Sequence, residues 1–183
     1  MKKIFLLGLI FITSFSAQSQ LAVSKIIGKN SKNYNIGFGL FGNYEYPLNE
    51  TGRQNLMIEI LDLEYFPGKP YNLNEDKLSS AFISIKLGYR YIFSEESRTG
   101  FYVEPQLGYV RVVHVDDQWA EGKYGDGFAA AFETGYSLEV GQGGNAFNFG
   151  LKYENDMAGE EFKIQTVSFR VGFSFFMSRR RDR

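Results

Sequence analysis

His114 is the single histidine in 183 residues, in the stretch Arg111-Val112-Val113-His114-Val115-Asp116. A histidine metal cluster is therefore excluded, and a triad of hydroxyl nucleophile, imidazole base and carboxylate has to be built on this one ring. A polar residue at the end of a strand accounts for it without any reaction. The carboxylates Asp116, Asp117, Glu121 and Asp126 lie close together in the turn-rich DDQWAEGKYGDG, and hard divalent cations take such oxygen ligands. Their spacing is not that of an EF-hand, and a solvated acidic loop is the favoured reading. Arg179, Arg180, Arg181 and Arg183 crowd the last five residues, where a solubilising tail is favoured over a phosphate site.

The remaining charges sit inside periodic segments. In SSAFISIKLGYRYIF, Ala81, Ile83, Ile85, Leu87, Tyr89, Tyr91 and Phe93 alternate with Ser84, Lys86, Gly88 and Arg90. Successive strand side chains point to opposite faces, so one face is apolar and the other carries charge and glycine. A soluble barrel hides its apolar face; here the polar face is too charged to be a dry core, and the pattern suits a barrel with lipid outside. Across the turn near 94–99, pairing Phe93 with Phe101 sets Arg90 opposite Glu104. Across the turn near 141–144, pairing Val140 with Asn145 sets Glu133 opposite Lys152. With Arg170, these residues form an expected lumenal ionic network, since facing opposite charges support one another on a shared face.

The positioning elements follow in chain order. Lys2, Lys3 and the apolar run Ile4–Ile12 read as a cleaved signal peptide over 1–19, too short to span a bilayer as a helix. Leu21–Gly28 is a weakly alternating strand. Tyr34–Tyr46 places Tyr34, Ile36, Phe38, Leu40, Tyr44 and Tyr46 on the outward face. Leu56–Phe66 has Leu61, Leu63 and Tyr65 outward, which leaves Glu59 on the lipid parity and calls for a bulge or an interfacial placement. Pro105 and outward Arg111 suggest an irregularity in the strand Phe101–Val115. Further strands run from Phe128 to Val140, from Phe147 to Tyr153 and from about Glu161 to Met177, and a basic tail occupies 178–183. The fold class is all-β, an eight-stranded antiparallel up-and-down transmembrane β-barrel over 20–177. Turns near 48–53, 94–99 and 141–144 are expected on the periplasmic side, with loops near 29–33, 67–78, 116–126 and 157–160 extracellular.

Composition agrees. There are 18 Phe, 12 Tyr and 20 Gly, and no Cys, so neither disulfides nor a lipoprotein acylation site is available. Losing the leader removes Lys2 and Lys3 and no acid, taking the formal charge from −1 to −3. That balance gives nucleic-acid binding no support.

The hairpin GYRYIF…FYVEPQLGYV and the final VSFRVGFSFF resemble the small outer-membrane β-barrels of Gram-negative bacteria of the OmpA/OmpX/OmpW-like kind. The resemblance implies residence in the outer membrane among its lipid and lipopolysaccharide, a monomeric barrel without cofactor, and insertion by the barrel-assembly machinery. It further implies that Gly172, Phe173, Phe175 and Phe176 form the assembly signal, from which the basic tail departs. Barrel lipid A palmitoyltransferases and deacylases share this architecture and use a His with a Ser and a carboxylate, but no serine stands two residues from His114 as the deacylase pattern asks. The function expected is a non-enzymatic barrel with a structural or surface-binding role through its extracellular loops and a lumen plugged by charge. The alternatives are a lipid A-modifying enzyme and a narrow channel or carrier for small apolar ligands.

Overall fold

The computed structural model describes residues 20–69, 79–94, 98–115, 123–140, 145–159 and 163–174. Eight strands are joined in chain order: β1 (Gln20–Ile27), β2 (Gly37–Pro47), β3 (Gln54–Phe66), β4 (Ser79–Phe93), β5 (Gly100–Val115), β6 (Lys123–Val140), β7 (Asn145–Met157) and β8 (Lys163–Ser174). Each pairs antiparallel with its neighbour, and the weak first strand closes the barrel on the last, from Leu21 opposite Val171 to Ile27 opposite Gln165. Closure leaves no free edge. The expected signal peptide, the basic tail, Phe175 and Phe176, and Asp116, Asp117 and Glu121 lie outside the described residues.

Inside-out patterning holds around the whole wall. Leu21, Phe38, Leu63, Ile85, Leu107, Phe128, Leu151 and Phe169 are exposed, while Ser24, Lys86, Glu104, Glu133, Lys152 and Arg170 are buried. A continuous outward apolar band around a charged interior is the arrangement that lipid requires and water disfavours. No helix among the described residues is long and apolar enough to cross a membrane; the spans here are strands.

The Glu59 conflict is solved by a bulge. Opposite β4, Glu59 pairs with Lys86 and Asp62 with Ser84, so Ile60 and Leu61 together occupy the place of one residue. Both side chains are exposed, and the extra residue turns Glu59 and Asp62 into the lumen from opposite parities. At Pro105 the β4–β5 ladder breaks between Gly88–Gln106 and Tyr91–Val103 without shifting register, as expected of a residue with no N–H.

Three expectations need correction. Tyr34 is not outward: β2 begins at Gly37, and Tyr34 bridges to Gly68 with its ring buried in the barrel mouth. The loop expected through 126 is shorter, because β6 starts at Lys123, opposite His114. Arg111 causes no irregularity, since Ile83 to Ser84 face Arg111 to Val110 in unbroken register.

A closed barrel in detergent resists unzipping, so the folded chain is expected to migrate faster than the boiled chain on a denaturing gel. Deleting Ile60 should keep that fast form, because Leu61 alone then stands opposite Ile85 and Glu59 and Asp62 both still face the lumen. Equal mobility before and after boiling, or a deletion that abolishes the fast form, would contradict this architecture.

Candidate functional site

Eight strands enclose a lumen just wide enough for side chains to fill or for one small ligand. The filling comes in three layers. At the end bearing the short turns, Gln20 Nε2 donates to Asn43 Oδ1 at 2.9 Å and Asn148 Nδ2 to Ser174 Oγ at 3.2 Å. At the opposite end, Ile26, Tyr34, Phe66, Phe82, Val110, Val112, Ala129, Ala158 and Ile164 pack into one apolar cluster, with the Phe66 and Phe82 rings edge-on at 5.2 Å. Between them lies the charge.

Five cations and six carboxylates form one continuous network there. Arg90 Nε meets Glu104 Oε2 at 2.6 Å. The Arg90 guanidinium also reaches Glu133 at 3.8 Å and Glu45 at 4.0 Å, and Glu45 in turn pairs with Arg98. Arg170 spans Glu133 at 3.0 Å and Glu59 at 2.7 Å. Lys86 and Lys152 share Glu59, Asp62 and Glu154, at 2.5 to 3.3 Å. Neutral groups complete it: Tyr102 donates to Glu133 at 2.6 Å, Gln106 to Glu104 at 2.6 Å, and Lys86 also donates to Ser84 at 2.6 Å. The guanidiniums of Arg90 and Arg170 lie over the rings of Tyr102 and Phe41, 4.3 and 3.2 Å from the centroids.

Glycine makes the room. Tyr102 is fully buried and points at the paired Gly135 and Gly150, where a Cβ on either would stand 2.7 Å from its hydroxyl. A side chain at either glycine would push the phenol off Glu133.

Placement of the residues singled out in the sequence is mixed. Arg90 and Glu104 are in contact, and Arg170 reaches Glu133. Glu133 and Lys152 face one another in the ladder, but the Lys152 ammonium turns away to Glu59, Asp62 and Glu154. Glu45, Glu59, Asp62, Lys86, Arg98 and Glu154 belong to the same network and escaped the hairpin-by-hairpin reading. For Glu45, Asp62, Lys86 and Glu154 the signal was inward parity, and for Glu59 its anomalous outward parity; Arg98 lies in the turn before β5 and gave none. Gly172 is packed against the Gln20 side chain, and Phe173 sits edge-on to Phe147 at 4.8 Å.

His114 does meet a serine, on the neighbouring strand. Its Nδ1 is 2.5 Å from Ser80 Oγ, which donates to the Tyr34 hydroxyl at 2.9 Å. Ser80 is fully buried, opposite Phe66 and nearer the loop end than Phe82. Asp126 is engaged by Arg111 on the outer wall at 2.6 Å.

Removing one partner from a buried pair strands the other charge, so Glu104→Ala should lower unfolding stability by about 3 kcal/mol. Arg111→Ala, in an exposed pair, should cost much less. Denaturant unfolding in detergent micelles reads both; equal effects would contradict the burial argument.

No family model matches the chain, and no curated protein matches its sequence. Solved structures do. Neisserial surface protein A is similar with a TM-score of 0.63 at 16% identity, over 85% of this chain and 92% of that one. Ail, the attachment invasion locus protein of Yersinia pestis, in complex with the heparin analogue sucrose octasulfate, is similar with a TM-score of 0.51 at 13% identity, over 86% and 96%. At these identities the likeness is one of fold, and the fold is that of the small eight-stranded outer-membrane barrels.

Proposed function

We propose that this chain is a non-enzymatic barrel of the bacterial outer membrane, closed to solutes, with a structural or surface-binding role carried by the end opposite the short turns. The observation that carries the reading is the network of eleven charges tying β2 through β8 across the lumen, capped by the apolar cluster. A wall of fixed ion pairs roofed by packed aromatic rings leaves no continuous aqueous path. Both chain ends of the barrel lie at the turn end, which is assigned to the periplasm, and the longer connections then face outward. Its partners are outer-membrane lipid and lipopolysaccharide, and the barrel-assembly machinery during insertion; the barrel acts as a monomer. The surface-binding role draws support from Ail, an attachment protein of similar fold captured with a polyanion. Ser80 beside His114 is the one observation favouring a lipid-modifying enzyme, and its burial argues against that use.

In planar bilayers the wild-type barrel should show no steady conductance, whereas Glu104→Ala with Glu133→Ala should open intermittent current by unpinning Arg90 and Arg170. A large, steady wild-type conductance would remove the plug, and a silent double variant would remove these residues from it.

Protease added to intact cells should cut within 67–78 and 116–122 and spare 94–99 and 141–144. The reverse pattern would invert the orientation.

A further inference from the structure

The outer wall carries two kinds of charge at the loop end. Arg111 is neutralised by Asp126. Around the β8–β1 seam, by contrast, Lys25, Lys29, Lys32, Lys69 and Lys163 are all exposed. Among the described residues, none of the five lies within ion-pair distance of a carboxylate. The chain path gathers them. Asn30 Nδ2 donates to the Lys163 carbonyl at 3.4 Å, and Gly28 lies against the Gln165 side chain, so the short 3-10 turn Gly28–Asn33 rests on the start of β8. The amide of Lys69 donates to the Asn33 carbonyl at 2.8 Å, which brings the segment after β3 to the far end of that turn.

Two of these lysines are on strands. Lys25 shares the outward row of β1 with Leu21 and Val23, and Lys163 shares that of β8 with Val167 and Phe169. Lys25 faces Val167, and Lys163 lies four residues further toward the loop end, about 13 Å along a strand. A lysine stem laid along an apolar wall carries its ammonium toward the polar boundary of the membrane. Both charges thus stand on strands and not on loop tips, Lys163 at the loop end of β8 and Lys25 deeper on the wall, within reach of that end along its own stem.

We infer that Lys25, Lys29, Lys32, Lys69 and Lys163 form a docking surface for the phosphorylated headgroup of an outer-leaflet glycolipid. The inference rests on the orientation proposed above. Charge complementarity carries it: five ammonium groups with no counterion among the described residues, in a chain whose net charge is negative, line one stretch of the loop-end rim, two of them on strands. Lysine binds phosphate as a point charge and needs no bidentate geometry, so a cluster of separate stems suits a headgroup bearing several phosphates.

The test uses the full chain in phosphatidylcholine nanodiscs doped with lipopolysaccharide, and measures the lipopolysaccharide retained per barrel after detergent washing. Wild type is compared with the variant carrying Lys25→Gln, Lys29→Gln, Lys32→Gln, Lys69→Gln and Lys163→Gln. Retention should fall at least tenfold in the variant, and high salt should lower wild-type retention in the same direction. Equal retention would overturn the assignment. Dephosphorylated lipopolysaccharide should be retained poorly by wild type; full retention would overturn the role of phosphate. Sucrose octasulfate bound in lipid-only discs as tightly as lipopolysaccharide is retained would overturn the lipid as occupant in favour of a soluble polyanion. Heat-modifiable migration is read on both proteins. If the fivefold variant fails to fold, Lys25→Gln with Lys163→Gln replaces it, with at least a threefold fall expected and no change counting against the proposal. An inverted protease pattern would sink the orientation itself, whereas unchanged retention with the expected pattern would sink only the lysines.

Discussion

The eleven charges at the middle of this barrel are answered by one another, across a lumen that eight strands leave narrow. Moving an ion out of water costs several kcal/mol even after relaxation, and an isolated charge at this depth is not tolerated. Arg170 and Lys152 illustrate the solution: each contacts carboxylates on β3, on the far side of the lumen from its own strand. The contacts run across the cavity as well as along its wall. A buried ion pair is weak evidence for stability but strong evidence for specificity, and here it discriminates between registers. A slip of two residues between neighbouring strands would leave each strand alternating correctly yet carry several ammonium groups away from their carboxylates.

Local features of the wall serve that requirement. The Ile60–Leu61 bulge lets one strand supply two inward carboxylates, Glu59 and Asp62, which between them serve Lys86, Lys152 and Arg170. Gly135 and Gly150 clear the space into which Tyr102 extends, and through Tyr102 the hydroxyl holds Glu133 beside Arg170. Toward the loop end the filling turns apolar, and Tyr34 folds back over the mouth with Phe66 and Phe82 beneath. Charge thus pins the middle of the barrel, while apolar packing fills its loop end.

How much of this is legible in the sequence depends on how local the contact is. Alternation of small or charged with apolar residues specifies a strand and its lipid face, so all eight strands can be read, even the poorly alternating β1. Short turns set register, which is why the residues of one hairpin suffice to place Arg90 opposite Glu104. Glu133 and Lys152 mark the limit. Their register is readable, but the partner chosen by the Lys152 ammonium depends on how the sheet closes, and Glu59 lies 93 residues away. The serine beside His114 is missed for the same reason: it comes from the adjacent strand, 34 residues back, and not from the local sequence. Tyr34 misleads because its parity matches β2, although the chain there has already left the sheet to cap the lumen.

The central claim is that the middle of the lumen is dry and closed by its own side chains, and a single engineered thiol tests it. The chain has no cysteine, and Ser168 is buried on β8 opposite Lys152, with a hydroxyl that has no hydrogen-bond partner among the described residues. Ser168→Cys is nearly isosteric and introduces the only thiol. In the folded barrel in nanodiscs, a small water-soluble thiol reagent is predicted to leave this cysteine unmodified over hours and to label it fully once the barrel is unfolded. Rapid labelling of the folded protein would mean that water and solutes pass through the ionic layer, and would contradict the account.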